Sequence, residues 1–196
     1  MNTRKPAYPV APYIVDRWSA RAMSGESISQ KELMSLFEAA RWAPSSYNSQ
    51  PWRFIYAHRD SPQWKTVFDL LVPFNQSWCK NAAVLVVVVS KNTFDHNGEF
   101  SSTHSFDTGA ACENLALQGN MNGFVVHGMA GFDYEKARTA LAIPADHMVE
   151  AMFAIGKPGP ISNLPADLQK SEVKSDRKNI EQFAFDAASW QATSKN

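Results

Sequence analysis

The sequence predicts an α+β fold in which a mixed central β-sheet is flanked by helices. Three observations carry this expectation. Segments of strand character alternate with segments at helical spacing along the whole chain. The run Ala82 to Ser90 holds four consecutive valines and lacks polar alternation, as a central strand buried on both faces does. No internal repeat or low-complexity stretch interrupts the pattern. At 196 residues and 44% hydrophobic content, the chain suffices for one sizeable core and falls short of two ordinary domains, so residues 1–196 are read as a single domain.

The elements follow in order. A proline-rich tail runs to Pro12, and a short helix is expected from about Tyr13. Ser29-Gln30-Lys31-Glu32 has the form of a capping box, in which a Ser hydroxyl and a Glu carboxylate satisfy each other's exposed backbone donors. Leu33, Leu36, Phe37 and Ala40 follow at helical spacing, and Pro44 stops that helix. Trp52 to Ala57 is a strand candidate. Ser61 to Leu71 reads as a helix with Pro62 in its first turn, ended by Pro73. After the Ala82 to Ser90 strand, Lys91 to Ser101 is polar, contains Asn97-Gly98 and is expected to form an exposed loop or lid. Ser105 to Asn120 predicts a helix that is apolar nearly all round, hence internal or shared between subunits. Gly123 to Gly128 gives a short strand, Asp133 to Leu141 a helix capped by Asp133, and Met148 to Gly156 a last strand. Residues 157–176 contain three prolines and no clear period, which predicts an extended C-terminal arm instead of a packed element.

Composition excludes several functions. Acidic and basic residues balance at 19 each, with no run of five like charges, so a broad nucleic-acid-binding face is not expected. The two cysteines, Cys79 and Cys112, stand far apart; this argues against a disulfide framework or zinc site and for a reducing, cytoplasmic compartment. The first thirteen residues carry charges and prolines, unlike a signal peptide. The longest apolar run, Ala82 to Val89, is too short to span a bilayer. The five histidines show no metal-ligand spacing, so no metal is expected. Gly98, Gly109 and Gly119 form no dinucleotide fingerprint, and no nucleophile elbow appears.

The most informative stretch is Pro44-Ser45-Ser46-Tyr47-Asn48-Ser49-Gln50-Pro51-Trp52. Hydroxyl and carboxamide side chains crowd a window closed by prolines at both ends, which makes a shaped polar loop. Read alone, it is also an ordinary turn between a helix and a strand. Upstream, Arg17-Trp18-Ser19-Ala20-Arg21 places two arginines four apart. On one helical turn they would share a face while Ser19 pointed elsewhere, so the segment must leave the helix for all three to converge. Two solvated arginines at a helix end are the alternative.

Together, Arg-x-Ser-x-Arg and, after an amphipathic helix, Pro-Ser-Ser-x-Asn-Ser-Gln-Pro-Trp resemble the flavin-binding N-terminal half of the nitroreductase family. The likeness continues through Asn75, the Asp107 to Leu117 helix, Gly131-Phe132-Asp133 and the basic pair Arg177-Lys178. The resemblance implies the nitroreductase-like, FMN-dependent fold as an obligate homodimer with flavin sites at the subunit interface. It implies that Arg17 and Ser19, with Arg177 and Lys178, hold the FMN phosphate and that Arg21 approaches the pyrimidine side of the ring. Pro44, Ser45, Ser46 and Asn48 would reach the flavin from the second subunit, and Asn75 would touch the ring or ribityl chain from the first. For Asn75 a helix cap after Phe74 stays open, as does a solvent-facing charged turn for Arg177 and Lys178; Gln50 is a weaker candidate that instead caps the strand. Met129, Ala130 and Gly131 would present backbone N–H groups to the ring edge.

Two departures stand out. Relatives of the best-known type carry an acidic residue before Gly-Phe-Asp, where this chain has Met129-Ala130, and some carry a lysine where this chain has Trp78. The activity implied is transfer of hydride from NADH or NADPH, a transient donor, through FMN to a nitroaromatic, quinone or similar small acceptor by a ping-pong mechanism, with no side chain required as acid, base or nucleophile. Reduction of a specialised substrate (an enal, a semialdehyde or a halogenated aromatic) and flavin binding without turnover are the alternatives. The expected lid lies within residues 91 to 106, with Phe94, Phe100 and Phe106 available to line a substrate pocket.

Overall fold

A computed structural model describes residues 4–188 and Trp190. Strands β1 (Trp52–His58), β2 (Val84–Lys91), β3 (Val125–Met129) and β4 (His147–Gly156) form one sheet in the order β1-β2-β4-β3. Every pairing in it is antiparallel, which corrects the expected mixed sheet. The unbroken apolar run of β2 comes from helices covering both faces, not from parallel neighbours. Leu85, Val87 and Val89 point into one core layer; Val84 and Val86 point into the other. The register shifts between Val88 and Val89, a β-bulge opposite the Ala151 to Val149 stretch of β4.

The second layer is built by α2 (Gln30–Arg41) and α5 (His104–Met121), which pack on the same face of the sheet. The capping box at the start of α2 is present as expected: the Ser29 N–H donates to Glu32 Oε2 at 2.6 Å and the Glu32 N–H to Ser29 Oγ at 3.2 Å. Gly119 is required where α5 crosses, since a β-carbon there would lie 2.4 Å from Val126 and 3.3 Å from Leu36. The expectation for α5 holds in its interior, where Ala111, Leu115 and Ala116 are buried, but its first turns bury the polar side chains of His104, Asp107 and Thr108. Phe106 on the opposite side is 81% exposed.

The first layer contains α3 (Trp64–Phe68), α4 (Pro73–Cys79), α6 (Tyr134–Ala140) and α7 (Ala166–Gln169), while α1 (Pro12–Asp16) buries none of its residues and lies against α5. Here two boundaries differ from expectation. The Ser61 to Leu71 helix is reduced to α3, and Pro73 opens α4 instead of ending a helix, because proline's missing N–H and fixed φ suit the first helical position. Asp133 caps α6 through the Lys136 N–H at 2.9 Å.

Residues 158–172 are packed, contrary to the arm read from sequence. Leu164 and Leu168 are buried in the first layer, Pro158 bridges Met23, and a β-carbon on Gly159 would collide with the Met23 backbone at 2.4 Å. Beyond Glu172 the described chain is largely exposed, with a 3₁₀ turn at Ile180–Gln182 and helical backbone again at residues 187–188.

Candidate functional site

Helix α1 ends at Asp16, and Arg17 is already extended at φ −61°, ψ 131°. The segment therefore leaves the helix as convergence requires. Arg17, Ser19 and Arg21 line one cleft of about 320 Å³ together with Arg177, His127 and Arg4. Arg4 was not foreseen from sequence. Its Nε donates to the Ser175 carbonyl at 2.8 Å, and its Nη1 to the carbonyls of Val15 at 2.9 Å and Arg17 at 2.8 Å. Burial, then the neighbouring Arg177 and Arg17 guanidiniums, lower its pKa. So much like charge on one wall is electrostatically costly and is what a dianion relieves. Arg17 is also 3.5 Å from the exposed Glu113. Lys178 does not join this cleft; with Arg177 it lines a separate groove of about 540 Å³ between the two chain ends.

Arg21 is held by an acid that sequence reasoning also missed. Glu172 is buried, and its Oε1 accepts the Arg21 N–H at 2.6 Å and the Ala22 N–H at 2.8 Å. Its Oε2 lies 3.7 Å from Arg21 Nη1. That oxygen and Arg21 Nε are buried without a hydrogen-bond partner among the described residues. His127 lines the cleft from β3. Its Nδ1 is 2.9 Å from the Ala20 carbonyl, which can only accept, so Nδ1 carries the proton and Nε2 is left as an acceptor. Burial above all, with some help from Arg21, lowers the His127 pKa, so the ring is held neutral.

One side chain ties this cleft to the next group of expected residues. The Trp78 indole is buried, with its ring centroid 4.6 Å from that of His127, and its Nε1–H donates to Asn75 Oδ1 at 3.2 Å. Asn75 sits inside α4, which sets aside its reading as a helix cap. Its Nδ2 donates to the Gly131 carbonyl at 2.9 Å. A β-carbon on Gly131 would come within 2.5 Å of that nitrogen, so glycine is what lets the two segments touch. Ala130 is exposed and Met129 is buried, its Sδ 3.8 Å from Cys79 Sγ. The N–H groups of Ala130 and Gly131 are engaged by no acceptor among the described residues.

The polar loop has the shaped backbone its composition suggested. Ser46–Asn48 forms a 3₁₀ turn, and Tyr47, Asn48 and Gln50 have φ of 52°, 53° and 48°. Left-handed backbone costs roughly 1–2 kcal/mol at a residue with a β-carbon, less at Asn, so three such positions in four residues need external support. Ser45 Oγ accepts the Gln50 N–H at 3.0 Å, and Gln50 Nε2 donates to the Asn48 carbonyl at 3.0 Å. Gln50 therefore braces the loop. Asp107 Oδ2, on α5, accepts the Ser46 N–H at 3.0 Å. Pro44 and Asn48 are exposed, and Ser45 and Ser46 half-buried. Neither they nor their neighbours line the arginine cleft of the same chain. The expected lid folds as a turn closed by the Thr93–Phe100 bridge, and its Phe94 and His96 rings lie 5.5 Å from the Tyr47 ring.

Other chemistry is sparse. No group of histidine, cysteine or acidic side chains suited to a metal ion exists among the described residues, and no helix there is long and apolar enough to cross a membrane. Both cysteines are free. Burial drives the Cys79 thiol pKa far up and that of Cys112 to about 12.

A family model described as the nitroreductase family matches residues 14–157. A putative NAD(P)H nitroreductase of Bacillus subtilis is 40% identical over 76 residues, which are 38% of this chain and 35% of that protein. The chain thus spans about a third of that relative. A putative NADH dehydrogenase/NAD(P)H nitroreductase of Archaeoglobus fulgidus is 29% identical over 153 residues, covering 74% of this chain and 83% of its own. Among solved structures, an oxidoreductase containing FMN superposes with a TM-score of 0.92 at 44% identity, over 95% of this chain and 96% of that one. The fold is also that of a putative nitroreductase in complex with FMN from Desulfovibrio desulfuricans, with a TM-score of 0.71, 23% identity and coverage of 91% and 98%. The family match over residues 14–157 covers well over half of the sequence, and the chain belongs to the nitroreductase family.

Proposed function

We propose that the protein is an FMN-dependent NAD(P)H oxidoreductase that passes electrons to a small electrophilic acceptor, such as a nitroaromatic or a quinone, by a ping-pong mechanism. The carrying observation is the convergence of Arg17, Ser19, Arg21 and Arg177 on one cleft, joined by Arg4. A further support is the relative that contains FMN and is 44% identical along nearly its whole length.

The residues fit the cofactor. A phosphate dianion suits a wall of guanidiniums with a hydroxyl among them. The orphaned Arg21 Nε wants an acceptor, and the close approach of Gly131 to Asn75, which a β-carbon would prevent, brings the 130–131 segment and α4 together. Arg4, Arg17, Ser19 and Arg177 would hold the phosphate; Arg21 would face the pyrimidine side, anchored from behind by Glu172. Neutral His127 and buried Trp78 set the spacing between the phosphate cleft and Asn75. The N–H groups of Ala130 and Gly131 would meet the ring edge. When bound, FMN supplies the two-electron chemistry between NADH or NADPH and the acceptor. The protein contributes position, charge and exclusion of water.

The reading includes a homodimer, in which Pro44, Ser45, Ser46 and Asn48 of the second protomer complete each site. Two observations support it: these residues line neither of two clefts that Arg17 lines in its own chain, and Trp42, Tyr47 and Phe106 are 72%, 81% and 81% exposed in a single protomer, the kind of apolar surface a second subunit covers. Two free cysteines accord with a cytoplasmic location.

An anaerobic spectrum of the purified protein, before and after NADH or NADPH, tests the proposal. A flavin spectrum that bleaches on addition of nicotinamide and recovers with a nitroaromatic or quinone is expected. Purification without flavin, and no binding on titration with FMN, would sink it.

A further inference from the structure

Asp107 holds a position that a first-turn acidic residue does not need. Such residues usually face solvent and act on the helix dipole. Asp107 is 5% exposed instead, and one of its oxygens, Oδ2, accepts two hydrogen bonds from different segments. The Ser46 N–H reaches it at 3.0 Å from the polar loop, and the Thr103 hydroxyl at 3.1 Å from the end of the lid turn. The Ser46 contact lies directly before Tyr47 and Asn48, which hold φ of 52° and 53°.

Within the loop, the Asn48 N–H donates to the Ser45 carbonyl and the Ser49 N–H to the Ser46 carbonyl at 3.0 Å each, the Gln50 N–H reaches Ser45 Oγ, and Gln50 Nε2 reaches the Asn48 carbonyl; from the following strand, Arg53 Nη1 donates to the Gln50 carbonyl at 2.9 Å. Asp107 differs from these in coming from a distant element, α5, and in holding the N–H just before the left-handed residues. A backbone that unfavourable persists only where its surroundings over-determine it, so loss of the anchor from α5 would let it relax toward ordinary φ values. The Tyr47 ring, packed edge-on to Phe94 at 5.5 Å, then links the same loop to the lid turn. Asp107 is thus the joint at which loop, lid and α5 meet.

We propose that Asp107 is a positioning residue: its carboxylate holds the Ser45–Gln50 loop in its left-handed shape, and that shape sets the affinity for FMN. The second half of this statement rests on the functional reading above. A carboxylate accepting from a backbone N–H makes a charge-assisted bond, stronger than a neutral one. Asn at the position keeps an oxygen for Ser46 but loses the charge; Ala loses the contact outright.

Two measurements on the full chain test the proposal. The first is hydrogen exchange of the 44–52 segment in flavin-free protein, compared with the rest of the chain. The second is FMN titration of the same protein by fluorescence quenching. For Asp107→Ala, exchange in 44–52 rises selectively and the FMN Kd rises about tenfold or more. Asp107→Asn restores most of both, and Thr103→Val, which spares the Ser46 contact, leaves the FMN Kd within about threefold of the parent. Unchanged exchange at 44–52 in Asp107→Ala overturns the clamp, and an unchanged Kd overturns its role in binding. A general loss of protection across the chain, with no rescue by Asn, assigns Asp107 to folding and also overturns the proposal. Failure of the parent chain to bind FMN would strike the functional reading instead, and the exchange data would still decide the clamp.

Discussion

Asn75 and Gly131, 56 residues apart in sequence, are joined by a hydrogen bond of 2.9 Å between the carboxamide nitrogen of one and the carbonyl oxygen of the other. The contact exists because Gly131 has no side chain: a methyl there would sit 2.5 Å from the donor. Gly131→Ala should therefore displace Asn75, and with it the acceptor of the buried Trp78 indole. Leaving a buried donor unsatisfied costs about 1–3 kcal/mol. The expected outcome is a lower melting temperature together with an FMN Kd raised at least about tenfold, read by thermal denaturation and by flavin fluorescence.

The arginine cleft makes a prediction about which part of the cofactor it feels. Arg17→Ala and Arg177→Ala should each weaken FMN binding by roughly 10- to 100-fold, the range of a hydrogen bond to a charged group. Binding of riboflavin, which lacks the phosphate, should scarcely change. Titrations of each variant with both ligands at two salt concentrations check this; equal losses for the two would place these arginines elsewhere.

His127 predicts a pH dependence of stability. Its folded pKa lies below the unfolded value of about 6.5, so the unfolded chain binds the extra proton first. Stability from this group is therefore present above pH ~6.5, falls as the pH drops from there toward the folded pKa, and levels off below it. Melting curves between pH 8 and 5 should show this fall. His127→Gln should flatten that part of the profile.

Neither cysteine should react in the native protein. With a pKa of about 12 at Cys112 and a higher one at Cys79, the thiolate fraction at pH 8 is roughly one in ten thousand or less. Mass spectrometry after iodoacetamide treatment should find no adduct in the folded state and two per chain after denaturation.

Much of this architecture could be read from the residues themselves. The box at Ser29, the Asp133 cap and the doubly buried β2 are written in local chemistry, and local chemistry is what a sequence displays. The exit of Arg17 from its helix also followed, because three side chains cannot converge from one helical turn. What escaped notice depended on distant partners. Pro73 was read as a stop and is a start, since both roles suit a proline beside a polar stretch. The 158–172 segment looked unpacked because Leu164 and Leu168 are too far apart to show a period. Glu172, Asp107 and Arg4 act on backbone groups 150, 61 and up to 171 residues away, and no spacing rule reports such a contact. The burial of Glu172 would have been a clue, but burial of a lone acid is invisible in one dimension.

The Arg4 side chain grips the carbonyls of Val15 and Arg17 with one nitrogen and that of Ser175 with another. A ribosome releases these partners at opposite times. During translation the core helices and strands can assemble while the anion wall still lacks Arg177 and the Ser175 carbonyl that steadies Arg4. On the proposed flavin reading, cofactor capture would wait until the polypeptide has been made past residue 177, and a half-made chain would have little means of sequestering flavin.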